Sequence, residues 1–211
     1  MLSQKLLHFS DEPKVSVLAL PRGGVPIGFE VSLRLNVPLR IFLVRKLGAP
    51  TNNEFAIGAI ASGGIRFVND EVVRTLKISL QQVEQIVERE ERELERRSQL
   101  YGDEFTADGF TGQTFILVDD GLATGSTMRA AVTALKRECP ARIVIAIPVA
   151  SVSAFNELSQ EVDEIVCLQT PERFQAVGEW YETFSQTTDE EVQKFLEKAR
   201  FPETNPLVFK L

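Results

Sequence analysis

Cysteine and histidine are scarce in this chain of 211 residues, which contains two cysteines and one histidine. The two thiols, Cys139 and Cys167, are too few for a disulfide framework and indicate a reducing compartment. The single histidine, His8, lies outside every motif described below. Its isolation argues against His-based catalysis and against a His-rich metal site.

Long apolar runs and an excess of positive charge are also absent. No stretch approaches the roughly 20 apolar residues that span a bilayer, and residues 1–8 are too polar for a signal peptide. The formal net charge is −7, so the chain lacks the basic footprint of a nucleic-acid-binding protein. We therefore expect a cytoplasmic protein with neither a nucleic acid nor a membrane as its partner.

Short apolar runs alternate with helical patterns along the chain. This alternation favours an α/β fold, with a parallel twisted sheet and flanking helices. The predicted strands span residues 15–20, 39–44, 55–61, 65–68, 115–118, 143–150 and 164–168. The predicted helices span residues 25–35, 70–76, 79–101, 128–137, 152–158 and 188–199. Ser62-Gly63-Gly64 separates two of the strands and indicates a β-hairpin.

We expect one domain over residues 1–211, with four parts. They are a core at 13–168, a long helical insertion within it at 70–101, a hood at 169–187, and a C-terminal helix and tail at 188–211. Ser79 and Gln82 form a capping-box pattern at the start of the long helix. Leu80, Val83 and Val87 are predicted to form its buried stripe, and its charged second half is interpreted as a solvated surface rather than a binding surface.

The most informative segment joins a strand, an acidic pair and a loop of small residues. Phe115–Val118 is an apolar run typical of a buried strand, and Asp119 and Asp120 follow it directly. The small-residue loop comes next and leads into a helical pattern; it contains Gly121, Ala123, Thr124, Gly125, Ser126 and Thr127. Free amides, hydroxyl groups and a helix N-terminus make such a loop suitable for a phosphate.

The acidic pair needs a different partner from the loop. Ionised carboxylates only accept hydrogen bonds, so Asp119 and Asp120 are suited to hydroxyl groups or a hydrated cation. The loop has no lysine, which distinguishes it from the nucleotide P-loop. A ligand that carries a phosphate beside a vicinal diol satisfies both halves of the segment, and ribose 5-phosphate is such a ligand.

The segment Val118–Thr127 resembles the motif with which type I phosphoribosyltransferases bind phosphoribosyl pyrophosphate (PRPP). The resemblance implies that Asp119 and Asp120 hold the ribose hydroxyls, and that Ala123, Thr124, Gly125, Ser126 and Thr127 hold the 5′-phosphate. It also implies that Mg²⁺ bridges the substrate and meets the acidic pair through water. The expected function is transfer of the phosphoribosyl group to an acceptor, a nitrogenous base, with release of pyrophosphate. The alternative is a non-catalytic sensor of PRPP or a nucleotide.

Two further segments resemble the pyrophosphate-binding parts of this family. Arg22, Gly23 and Gly24 follow the first core strand, and a cis peptide bond entering Arg22 is implied there. Arg45 and Lys46 precede a polar stretch that resembles the family's mobile loop, which implies a catalytic role for the two cations.

The hood is where the resemblance places selection of the acceptor. Phe174, Trp180 and Tyr181 are candidates for stacking on a planar base, and closure of the core is an equally favoured role for Trp180 and Tyr181. Ala123 replaces an aspartate of the hypoxanthine-guanine branch, so the identity of the acceptor stays open. A homodimer also stays open.

Overall fold

Five parallel strands form the central sheet of the computed structural model, which describes residues 1–102 and 110–200. Their bounds are β1 Val15–Ala19, β2 Leu39–Ile41, β6 Thr114–Val118, β7 Arg142–Val149 and β8 Glu164–Gln169. The order of the strands across the sheet is β2-β1-β6-β7-β8. Every neighbouring pair is parallel, which confirms the predicted α/β fold with a parallel sheet.

Helices cover both faces of this sheet. The helices of the described residues are α1 Leu2–Lys5, α2 Gly24–Leu35, α3 Asp70–Thr75, α4 Leu80–Tyr101, α5 Ser126–Lys136, α6 Val152–Ser159 and α7 Asp189–Arg200. Of these, α3 and α4 pack against the second sheet, which is described below. Alternate residues of β6 point to opposite faces. Phe115 and Leu117 belong to the core cluster under α5 and α6, while Ile116 and Val118 belong to the cluster under α1 and α2. Burial on both faces explains why the strands are continuously apolar.

A second sheet is antiparallel and has three strands. They are β3 Val44–Ala49, β4 Asn52–Ala61 and β5 Ile65–Val68, in that order, and the turn at Ser62–Gly64 between the last two confirms the predicted hairpin. The single strand predicted over residues 39–44 is wrong, because β2 ends at Ile41 and β3 begins at Val44 in the other sheet. Phe42 and Leu43 form the connection and are buried, so the apolar run continues through the corner.

The polar stretch that follows Lys46 is not a long loop. The chain stays in β3 to Ala49, turns, and enters β4 at Asn52. Irregular pairing with β4 on both sides of Gly48 indicates a β-bulge there. The segment predicted to resemble a mobile loop is therefore the tip of a hairpin.

The helical insertion follows its capping signals. The Asn69 side chain accepts a hydrogen bond from the Val72 amide at the start of α3, and Ser79 and Gln82 form the predicted capping box of α4. Val83 and Val87 are buried against the second sheet, as predicted. Leu80 is 81% exposed, so its prediction as a buried residue is wrong. It occupies the first position of α4 and contributes to none of the core clusters of the described residues.

The hood is irregular apart from a 3-10 turn at Val177–Trp180. Thr188 and Glu191 exchange hydrogen bonds and start α7 as predicted, and α7 packs against α2. No helix in the described part of the chain is long and apolar enough to cross a membrane. The predicted C-terminal tail, residues 201–211, lies outside the described residues.

Candidate functional site

The candidate site lies at the carboxyl ends of two adjacent parallel strands. The glycine turn (Pro21–Gly24) follows β1, and the acidic pair (Asp119 and Asp120) follows β6, its direct neighbour in the sheet. Parallel strands bring segments that are distant in sequence to one edge of the sheet, where α/β proteins bind ligands. The structure thus brings together the two segments that were predicted to hold the ribose and the pyrophosphate.

The glycine turn touches the acidic pair. A Cβ atom at Gly23 would lie 2.6 Å from Cγ of Asp120, and one at Gly24 would lie 2.9 Å from Cα of Asp119. Gly24 therefore requires glycine because its neighbour is backbone, whereas a side chain at Gly23 would displace the Asp120 carboxyl group. The Pro21–Arg22 peptide bond is cis, as predicted.

The carboxyl groups of the acidic pair have no cationic partner in the described part of the chain. Burial, and secondly the charge of Asp120, raises the pKa of Asp119 to about 8. Burial also raises the pKa of Asp120. The Asp120 amide donates a hydrogen bond to Asp119 Oδ1 at 2.9 Å. The site therefore disfavours two uncompensated negative charges and favours a ligand that supplies hydroxyl donors or positive charge.

The small-residue loop (Gly121–Thr127) presents an open helix N-terminus. Gly125 is the N-cap of α5, with a φ of 68°, and has no side chain to cap the helix, although Thr124 Oγ1 accepts a long hydrogen bond from the Ser126 amide at 3.4 Å. A Cβ atom at Gly125 would lie 3.1 Å from Cδ1 of Leu158, so packing against α6 adds to the conformational need for glycine. Ser151 Oγ donates to the carbonyl oxygen of Ala123 at 2.7 Å and fixes the start of the loop. The amides of the first turn of α5 have no intrahelical acceptors and are suited to an anion.

Arg45 and Lys46 lie on β3 rather than in a loop, and of the two only Arg45 lines a cavity with the glycine turn. Arg45 donates through Nε to Glu90 of α4 at 2.8 Å, and its Nη2 lies 2.6 Å from the same Glu90 oxygen. Glu90 is 7% exposed and also pairs with Arg89. Arg45 is thus firmly held beside the glycine turn by a buried carboxylate. Lys46 lines a separate cavity of about 420 Å³ between α5 and the second sheet, which also reaches Ser126.

Arg97 is a residue of the site that the sequence interpretation missed. It lines a small cavity together with Pro21, Arg45 and Thr127, although α4 was predicted to expose its charged half to solvent. The available sequence signal is the four-residue spacing of Glu93 and Arg97, but such pairs are also common on solvated helices, which they stabilise. Because acidic and basic residues repeat along the second half of α4, the sequence does not distinguish Arg97 from the other arginines of this helix.

A larger cavity of about 480 Å³ lies between the hood, α2 and α7. We call it the hood cavity; it is lined by residues of four segments: Arg22, Gly23, Pro26, Ile27, Asp120, Tyr181, Thr183, Phe184, Ser185, Gln186, Thr187, Glu191 and Phe195. Tyr181 was predicted as an acceptor contact and lines it, whereas Phe174 and Trp180 do not. Phe184 and Phe195 are aromatic residues that the sequence interpretation did not select, because neither lies within a recognisable motif.

The donor set suits a magnesium ion that arrives with a phosphorylated substrate. The described residues contain no cluster of three or more His, Cys, Asp or Glu side chains that could hold a metal ion. Mg²⁺ commonly binds through one or two carboxylates together with substrate phosphates and retained water. Asp119 and Asp120 supply the two carboxylates, and their lack of cationic partners among residues 1–102 and 110–200 fits this mode of binding.

A sequence profile of the phosphoribosyl transferase domain matches residues 1–183. Two Mycobacterium tuberculosis proteins, provisionally named phosphoribosyl transferase Rv0571c (strain H37Rv) and MT0597 (strain CDC 1551), are each 39% identical over 198 residues. The match covers 94% of this chain and 44% of theirs, so the chain spans less than half the length of these relatives.

The crystal structure of TT1426 from Thermus thermophilus is similar over almost the whole chain. Its TM-score is 0.82 with 38% sequence identity, and the alignment covers 92% of both chains. The resemblance to type I phosphoribosyltransferases that Val118–Thr127 indicated is confirmed, and the chain belongs to the phosphoribosyl transferase domain family.

Proposed function

We propose that this protein binds PRPP with Mg²⁺ and transfers its phosphoribosyl group to a nitrogenous base, with release of pyrophosphate. One observation carries the proposal: the acidic pair, the N-terminus of α5 and the glycine turn converge at one edge of the sheet. These elements offer hydroxyl acceptors, phosphate donors and a close backbone approach, which are the features that the donor substrate requires.

Each part of the donor has a counterpart among these elements. The amides of the small-residue loop and the hydroxyls of Thr124, Ser126 and Thr127 bind the 5′-phosphate. Asp119 and Asp120 accept hydrogen bonds from the ribose 2′ and 3′ hydroxyls, which stabilises the ionised carboxylates against their burial. Arg22 is half-exposed beside this pair and meets the pyrophosphate with its planar fork.

The reaction breaks the bond between C1 of the ribose and the pyrophosphate oxygen, and forms a bond between C1 and a nitrogen of the acceptor. The electron pair of the broken bond leaves with the pyrophosphate, and the proton of the acceptor nitrogen passes to this departing group. Positive charge develops near C1 while negative charge grows on the leaving group. The protein contributes mainly by positioning the reactants and by stabilising this separating charge, with Arg22, Arg45 and Lys46 on the pyrophosphate side.

Magnesium, when bound with the donor, would neutralise pyrophosphate oxygens and so favour departure of the leaving group. Asp119 and Asp120 would meet its water shell.

The hood cavity is the proposed site of the acceptor. Tyr181 and Phe184 lie within it with their ring centroids 5.4 Å apart, and Asp120 forms part of the same wall. A planar base placed against these rings would lie beside the residue proposed to hold the ribose. Phe174 and Trp180 lie outside this wall, so Tyr181 carries more weight as an acceptor contact than either of them.

A non-catalytic sensor remains the second candidate, and one observation favours it. The β3–β4 hairpin turns within the residues between Ala49 and Asn52, so it provides no long segment that closes over a reacting substrate. A protein that senses PRPP without reacting it needs the elements that bind PRPP, but it does not need a segment that closes over the substrate.

Two measurements separate the candidates. Isothermal titration with PRPP in the presence and absence of Mg²⁺ tests donor binding. Pyrophosphate release is then measured with saturating PRPP against a panel of purines, pyrimidines and other nitrogenous bases. PRPP binding together with pyrophosphate release that depends on a particular base supports the transferase. PRPP binding without pyrophosphate release in the presence of any base supports the sensor. Absence of PRPP binding contradicts both candidates.

A further inference from the structure

The small cavity at Pro21, which we call the arginine cavity, is lined by two arginines, Arg45 and Arg97. Its volume is about 20 Å³, enough for about one water molecule. Pro21 belongs to the glycine turn and Thr127 to the small-residue loop, and both line it together with Arg45 and Arg97. The cavity therefore lies between the two segments proposed to bind the anionic ends of the donor.

The hydrogen bonds of Arg97 leave most of its guanidinium available. Its Nε donates to Oε1 of Glu93 at 2.8 Å, and the side chain is 32% exposed. The terminal amino groups have no acceptor within residues 1–102 and 110–200. A guanidinium carries five N–H donors, so four of those of Arg97 have no acceptor among the residues that the structure describes.

Arg96 shows that this is not the general state of arginines on α4. It donates through Nε to Oε2 of Glu93 at 2.9 Å and through Nη2 to Oε1 at 3.0 Å, so its fork is already filled. Its side chain is 59% exposed, and it does not line the cavity. The two neighbouring arginines share one carboxylate, and of the two only Arg97 lines the cavity.

Carboxylates of α4 hold both cations of the cavity. Glu90 takes Nε and Nη2 of Arg45, and Glu93 takes Nε of Arg97. Two like charges at one small cavity repel each other, and an anion bound between them relieves this repulsion. The arrangement resembles a prepared receptor for phosphate oxygens, since guanidinium groups bind such oxygens through paired hydrogen bonds.

We propose that Arg97 is a binding residue for the donor, whose phosphate oxygens accept hydrogen bonds from its terminal amino groups at the arginine cavity. Glu93 acts as a positioning residue that fixes the guanidinium. The proposal rests on the proposed function, because it assumes that PRPP occupies the site. It also gives the charged helix α4 a role in recognition in addition to its solvated surface.

The test compares two alanine variants that lose the same carboxylate partner. PRPP affinity is measured by isothermal titration for the unaltered protein, Arg97→Ala, Arg97→Lys and the matched control Arg96→Ala. We expect Arg97→Ala to weaken PRPP binding by about tenfold or more, and Arg96→Ala by less than about twofold. Arg97→Lys should lie between them, because lysine keeps the charge but not the fork.

Titrations with ribose 5-phosphate and with pyrophosphate identify the end of the donor that Arg97 contacts. A loss confined to one of these ligands assigns the contact to that end, and either result supports the proposal. Equal PRPP affinities for Arg97→Ala and Arg96→Ala, with both variants folded by circular dichroism, would overturn it. If Arg97→Ala does not fold, unaltered PRPP affinity in Arg97→Lys overturns it instead. Absence of PRPP binding to the unaltered protein refutes the proposed function itself, which is a distinct result.

Discussion

Tyr181 Oη donates a hydrogen bond to the carbonyl oxygen of Asp120 at 2.6 Å. This bond joins the hood to the acidic pair across 61 residues of sequence. Burial, together with the nearby carboxylates Asp120 and Asp119, raises the pKa of Tyr181 well above its usual range, so the phenol stays a donor near neutral pH. The hood is therefore attached to the part of the site that is proposed to hold the ribose.

Removing this phenol should loosen the hood. In Tyr181→Phe, the carbonyl of Asp120 loses its donor, and we expect the free energy of unfolding to fall by about 0.5 to 1.5 kcal/mol. Urea denaturation measures the change. The KM for the acceptor should rise more than the KM for PRPP, because the hood cavity is the proposed acceptor site.

Trp180→Phe is the matched control for this change. Trp180 is 40% exposed and does not line the hood cavity. The Trp180→Phe variant should therefore leave the KM for the acceptor nearly unchanged. A larger effect from Trp180→Phe than from Tyr181→Phe would place the acceptor elsewhere in the hood.

The acidic pair should be essential for binding and dispensable for folding. In the double variant Asp119→Asn with Asp120→Asn, each lost charge-assisted hydrogen bond to a ribose hydroxyl should cost about 1.5 to 3 kcal/mol of binding free energy. Turnover should be abolished while the far-ultraviolet circular dichroism stays unchanged. Titration with PRPP and with ribose 5-phosphate measures the loss, and unaltered affinity for both ligands would refute the ribose assignment.

Much of the fold could be predicted from the sequence because its signals are local. The capping residues Asn69, Ser79 and Thr188 mark helix starts through side chains that lie next to the amides they satisfy. The parallel strands appear as apolar runs because both faces of the sheet are covered. The acidic pair and the small-residue loop were recognisable for the same reason, since strand, carboxylates and loop are contiguous in the chain.

What the sequence could not predict depends on contacts between distant segments. Phe42 and Leu43 look like the interior of a strand, yet they form a buried corner between two sheets. The position of Arg97 beside Pro21 depends on how α4 lies against the second sheet, which no local pattern encodes. The glycine turn was predicted to approach an anion, but its contact with the acidic pair was missed, because that contact arises from the pairing of β1 with β6.

Gly23 and Gly24 should respond differently to the same substitution. A Cβ atom at Gly23 meets the Asp120 carboxyl group, which is the end of a side chain and is able to move. Gly23→Ala should therefore weaken PRPP binding with only a small change in thermal stability. A Cβ atom at Gly24 meets the backbone at Val118 and Asp119, which lies at the end of a central strand. Gly24→Ala should lower the melting temperature clearly.

Thermal stability and PRPP affinity are both measured for Gly23→Ala and for Gly24→Ala. Melting temperatures come from thermal denaturation and affinities from titration with PRPP and Mg²⁺. The φ of Gly23 is −61°, so alanine adds no backbone strain at that position and the effect on Asp120 is isolated. If Gly23→Ala binds PRPP like the unaltered protein, the Asp120 carboxylate does not need its present position for binding.

Asp119 should make the stability of the ligand-free protein depend on pH. Its pKa is raised from 3.8 to about 8 in the folded state, mainly by burial. Between these two values the folded state binds more protons than the unfolded state, so stability falls as pH rises through this window. The contribution is complete below about pH 4 and is lost above about pH 8.

Asp119→Asn should remove this dependence, because an amide does not ionise and still accepts the hydrogen bond from the Asp120 amide. Relative to the unaltered protein, the variant should gain more than about 1.4 kcal/mol of stability between pH 5 and pH 8, the equivalent of one pKa unit. Urea denaturation across this range, without Mg²⁺ or PRPP, measures the difference. Glu172→Gln, at an exposed position of the hood, is the matched control for the loss of one carboxylate. Curves for Asp119→Asn that run parallel to those of the unaltered protein would mean that the Asp119 carboxyl group is solvated in the folded protein, and that the acidic pair carries its two charges without a ligand.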